Sequence, residues 1–150
     1  MNNEFLYQVT AVALLSTAAC TPFQASSPEG FAAYEENGEF RAVSPDGITF
    51  RVRSEDNEPP ADLEFWSEAL KNRMSDAGYV VVSDGSVDAK NSSGYRLELA
   101  APIGELDYSY LVAIFVHGDD IVVVESAGEV RQFAAKRAAI EAALADLSLK

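Results

Sequence analysis

Along most of this chain hydrophobic and polar positions alternate with a period of two, and in two places the period lengthens to that of a helix. The densest apolar region is Tyr110 to Glu125, where two runs rich in Val, Ile and aromatics flank His117-Gly118-Asp119-Asp120. The runs are too short and too β-branched for helices, and the Gly-Asp-Asp break suits a tight turn. They predict a β-hairpin covered on both faces, and therefore the middle of a sheet.

Glu39 to Val43 and Ile48 to Arg53 also alternate, joined by Ser44-Pro45-Asp46-Gly47, whose proline and glycine positions fit a type I hairpin turn. Ile48, Phe50 and Val52 fall on one face and Thr49, Arg51 and Arg53 on the other, a half-buried strand with a basic outer side. Ser54 to Pro60 is a polar stop, because proline lacks the ladder donor. Leu63, Trp66, Leu70, Met74 and Ala77 then recur at helical spacing, with Asp62 placed to cap the start and Gly78 to end it. Tyr79 to Ser83 predicts a strand, Asp84 to Gly94 a polar hairpin loop, and Tyr95 to Ala101 another alternating strand. A second stripe of Val130, Phe133, Ile140, Leu144 and Leu147 follows Glu129, whose charge suits a helix dipole, in an alanine-rich sequence of high helix propensity. The predicted fold class is α+β: an antiparallel sheet of about six strands with two helices, in the order β-β-α-β-β-β-β-α, over residues 39–150 as a single domain.

The first forty residues follow another pattern. Phe5 to Leu15 is an apolar run about the length of a signal-peptide core and short for a membrane span, and it ends in Ser16-Thr17-Ala18-Ala19-Cys20. Small residues before a cysteine resemble the lipobox of bacterial lipoproteins, in which a peptidase cuts before the cysteine and the cysteine carries lipid. Thr17 stands where Leu is usual, and Met1 to Glu4 holds no Lys or Arg. The resemblance implies a signal peptide over residues 1–19, lipidation at Cys20 and attachment to a membrane. The alternative is a core helix with Cys20 as a small buried residue. Thr21 to Gly30, with its Pro, Ser and Gly content, predicts a flexible tether that reaches residue 38, although Phe31 to Tyr34 are placed to dock on the domain or begin it. Thr21 in place of Asp after the cysteine implies, by resemblance to proteobacterial lipoproteins, the periplasmic face of the outer membrane where the host is Gram-negative.

Composition narrows the partners. The 150 residues carry a net charge of −13, and Glu4 is the only charge ahead of Cys20. So acidic a surface repels phosphate backbones, which argues against nucleic acid, and anionic lipid, which argues against attachment by charge. Cys20 is the only cysteine, so an intrachain disulfide or a cysteine-rich zinc site is excluded.

Little of the sequence carries chemistry. Arg41, Arg51 and Arg53 form a candidate partner-binding patch, with cross-strand pairing to carboxylates as the alternative. His117, the only histidine, reads as an exposed turn residue with no serine in reach, and Trp66 reads as core. Asp84, Ser86 and Asp88 resemble the start of a calcium loop, but Ala89 replaces its glycine and Tyr95 its bidentate glutamate, which rejects an EF-hand. Glu55, Asp56 and Glu58, or Asp119 with Asp120, offer oxygens without fixed geometry. No Walker loop, dinucleotide fingerprint or His-Glu-x-x-His is present, and no catalytic residue, metal site or cofactor is identified.

The element order, with Ser44 to Gly47 and Phe65-Trp66, resembles the PsbP-like α/β/α sandwich over residues 39–147. That group includes the photosystem II extrinsic protein, a Ran-binding nuclear import factor and several bacterial envelope lipoproteins. It implies a non-catalytic binding or assembly module, here lipid-anchored in the cell envelope with an envelope protein as partner. Two other readings are an envelope hydrolase using carboxylates such as Glu98 or Glu125 in a cleft, and a weak calcium-binding protein.

Overall fold

The computed structural model describes residues 20–103 and 106–150. The expected signal peptide, residues 1–19, lies outside the described residues, and Cys20 is exposed. In chain order the elements are β1 (Phe23–Gln24), β2 (Ala32–Glu36), β3 (Glu39–Val43), β4 (Thr49–Asp56), α1 (Leu63–Asp76), β5 (Val80–Asp88), β6 (Ser93–Ile103), β7 (Leu106–His117), β8 (Asp120–Glu129), α2 (Val130–Asp146) and β9 (Ser148–Leu149).

Seven strands form one antiparallel sheet in the order β2-β3-β4-β8-β7-β6-β5, and β1 pairs separately with β9. The β7–β8 hairpin sits inside the sheet, between β4 and β6. His117 pairs with Asp120 across a two-residue turn that starts at Gly118, whose φ of +60° most residues avoid. Leu111, Ala113, Phe115, Val122 and Val124 pack with α2 on one face. Val112, Ile114, Ile121 and Val123 pack with α1 on the other, so both faces are covered. The six expected strands are β3 to β8, and β2 is the seventh.

Both helices begin on a side-chain cap. Asp62 Oδ1 accepts from the Phe65 amide at 2.9 Å, and the Glu129 carboxylate accepts from the amides of Arg131 and Gln132. At the far end of α1, Gly78 takes φ +89°, and the Tyr79 amide reaches back to the Met74 carbonyl at 3.1 Å. That closes the helix as a Schellman turn.

Three expectations are corrected. Residues 21–36 are not a free tether, because Phe23 and Phe31 pack on the core and both strands of the segment are paired. Phe23 is buried and pairs with Leu149, the Lys150 amide donates to the Pro22 carbonyl, Phe31 packs on the core, and β2 adds to the sheet edge beside β3. Asp84 to Gly94 is not a long loop either: β5 continues to Asp88 and β6 begins at Ser93. The polar composition there reflects an edge strand with water on its outer side. Val130, placed on the buried stripe, is exposed at the first turn of α2, while Phe133, Ile140, Ala143 and Leu144 are buried.

Candidate binding cleft

Glu39, Arg41, Arg51, Arg53 and Glu125 lie on the α1 side of the sheet, because they alternate with residues that face α2. Arg41 is the cross-strand neighbour of Arg51, and Arg51 that of Glu125. The candidate arginines are therefore brought together, but each is bonded to carboxylates. Arg51 Nε donates to Glu39 Oε2 at 2.8 Å, Arg41 Nη2 donates to the same oxygen at 2.8 Å, and Arg53 Nε donates to Glu125 Oε2 at 3.0 Å. Arg41 also pairs with Glu36 and Arg53 with Glu55. The hydrogen bond from Arg51, with that from Arg41, outweighs burial and holds Glu39 at a pKa of about 2 against an ordinary 4.5. The same contacts raise both arginines, with Glu39 as the first cause for each.

Tyr110 on β7 completes the ladder: its hydroxyl donates to Glu125 Oε1 at 2.6 Å. Burial first, and this bond second, push the phenol above its usual range. Glu125 thus accepts from Arg51, Arg53 and Tyr110 at once. Neither Tyr110 nor Glu125 as its acceptor follows from a local motif, since the pairing joins β7 to β8 side by side.

Between this ladder and α1 lies a cleft of about 580 Å³. Its helix wall is Trp66, Ala69, Leu70, Arg73 and Met74, and its floor includes Ile121 and Val123. Trp66, expected in the core, is half-buried there, and its indole Nε1 donates to Asn57 Oδ1 at 2.7 Å. Asn57 also donates to the carbonyls of Ala61 and Gly118, which ties the start of α1 to the β7–β8 turn. Among the described residues Arg73 makes no ion pair.

The two carboxylates considered for hydrolysis do not meet. Glu98 faces α2, where Arg137 grips it through bonds of 3.0 and 3.1 Å, whereas Glu125 faces the cleft. The sheet separates them, so they cannot act on one bond together. His117 is exposed at the β7–β8 turn. Asp84 is held by Lys71 and Tyr95, and among the described residues no group of three or more His, Cys, Asp or Glu side chains is arranged to hold a metal ion. No helix among the described residues is long and apolar enough to cross a membrane.

The seven-stranded antiparallel sheet with two helices defines an α+β protein with a PsbP-like neighbour among solved structures. No protein-family model and no curated protein sequence matches the chain. The solved structures similar to it include LpqN, involved in cell envelope biogenesis of Mycobacterium tuberculosis, with a TM-score of 0.68 at 12% identity over 85% of this chain and 83% of that one. PA94 of Pseudomonas aeruginosa, a protein of unknown function, gives 0.64 at 8% identity over 80% and 97%. Cyanobacterial PsbP of Synechocystis sp. PCC 6803 gives 0.58 at 10% identity over 97% and 99%. At such identities the likeness is one of fold.

Proposed function

We propose that this protein is a lipid-anchored binding module of the cell envelope, held through Cys20 and receiving its ligand in the cleft between α1 and the Arg–Glu ladder. One observation carries the reading. Among the carboxylates lining the cleft, Glu125 is held by two arginines and a tyrosine and Glu55 by Arg53, an array of fixed charges that suits recognition. The lipobox resemblance, the exposure of Cys20 and the envelope role named for LpqN support the location. Arg51 and Arg53, which line the cleft, serve as its charged rim, their positions set by Glu39 and Glu125, while Arg41 lies beyond it and shares Glu39 with Arg51.

The test has two arms. The N-terminal peptide of membrane-fraction protein is weighed in wild type and in Cys20→Ser; a peptide beginning at Cys20 with added diacylglycerol supports the anchor, and one beginning at Met1 removes it. A photocrosslinking residue at Ala69, in the cleft, is compared with one at Ala138, which is exposed on α2. A ligand captured from envelopes at Ala69 alone supports the site. Equal or absent capture at both positions removes it.

A further inference from the structure

The cleft has a shape and a charge pattern that its neighbours do not require. On β8 the side chains facing α2, Val122 and Val124, are 0% exposed, whereas Ile121 and Val123 beneath α1 keep 6% and 7%. No residue of α1 is buried, although Leu63, Trp66, Leu70 and Met74 all point at the sheet. The apolar stripe touches the apolar floor, and beside that contact opens a cleft whose 580 Å³ lies within the roughly 300–1,000 Å³ of small-ligand sites. Apolar surface left in this state favours any tail that fills it.

The charges orient such a ligand. Near the start of α1 the cleft is lined by Glu55 and Asp56, which makes that mouth acidic. Arg73 lies in the last turn of α1, about 15 Å further along at 1.5 Å per residue, and makes no ion pair among the described residues. A guanidinium of this kind binds a carboxylate or phosphate through paired N–H groups.

We propose that the slot takes a single-chain amphiphile with an anionic head, a fatty carboxylate or alkyl phosphate, its tail between α1 and the sheet and its head at Arg73. This rests on the cleft being the binding site and names the ligand class.

Trp66 is the only tryptophan and lines the slot, so its emission reads occupancy directly. The full chain carrying Cys20→Ser, which takes no lipid of its own, is titrated with laurate and with dodecyltrimethylammonium below their micelle concentrations, by Trp66 fluorescence and calorimetry. Laurate is expected to saturate at one per chain and to bind about tenfold tighter than the cation, the effect of one charge-assisted contact. Arg73→Gln should cost laurate about tenfold and erase the preference with the thermal melt unchanged, since Arg73 is exposed. Ala69→Phe should fill the slot and remove binding of both probes. The proposal is overturned if neither probe saturates, if the cation binds as tightly as laurate, or if Arg73→Gln changes laurate affinity by less than about twofold. Capture at Ala69 alongside a failed laurate titration would sink the ligand class and leave the cleft reading standing. An unmodified Cys20 would sink the anchor alone.

Discussion

α2 buries Phe133, Ile140, Ala143 and Leu144 against the sheet, whereas α1, on the opposite face, buries no side chain completely. Both helices carry an apolar stripe and both are capped, so propensity does not separate them. What differs is the surface beneath. Under α2 the strands present Phe50, Val52, Phe115, Val122 and Val124, and Phe23, Leu147 and Leu149 close the edge of that layer. Under α1 the apolar floor gives way at β4 to Arg51 and Arg53, and a helix cannot lie flat over paired charges without desolvating them. The α2 layer is therefore sealed, while the α1 layer, with a smaller core of its own, keeps a cleft with a polar rim.

This difference can be broken by truncation. Phe133→Ala should lose about 3–5 kcal/mol of unfolding free energy in urea, the usual range for a buried aromatic. Leu70→Ala on α1 should lose about 1–2 kcal/mol, because that side chain is only half-buried. Equal losses would mean that α1 is seated as firmly as α2. Native-state hydrogen exchange sharpens the same point: amides in the middle of α1 should open at a lower free energy than those of α2, and identical protection would contradict it.

Smaller effects test how α1 is held. Asn57→Ala removes the acceptor of Trp66 and the bonds to Ala61 and Gly118, and should cost about 2 kcal/mol with a change in Trp66 emission. An unchanged emission spectrum would show that the indole is positioned by packing alone. The smallest effect concerns the ladder. The pKa of Glu39 is lowered from 4.5 to about 2 in the fold, so its stabilisation is present above pH 4.5 and lost as pH falls through about 2. Glu39→Gln should cost about 1 kcal/mol at neutral pH, as expected of a pairing in contact with solvent, and its stability curve should converge on wild type near pH 2. Parallel curves across that window would place the stabilisation elsewhere.

Much of the sheet was legible because its signals are local. Alternation marked β3, β4 and β6, Asp62 and Gly78 marked the ends of α1, and the two β-branched apolar runs of the β7–β8 hairpin marked the interior. The candidate arginines were found by the same alternation; their partner Glu125 was not, since it arrives from the neighbouring strand β8. The N-terminal segment was misjudged because composition records stiffness and polarity, while the docking of Phe23 depends on Leu149 at the other end of the chain. The cleft was illegible for a related reason. Leu63, Trp66, Leu70 and Met74 spell an apolar helix face, but nothing in their spacing says how closely the helix approaches its sheet.

The pairing of Phe23–Gln24 with Ser148–Leu149 makes β1 wait for β9. The two strands lie far apart in sequence, so this clasp is a long-range contact that closes late, and the α2 layer stays unsealed at that edge until it does.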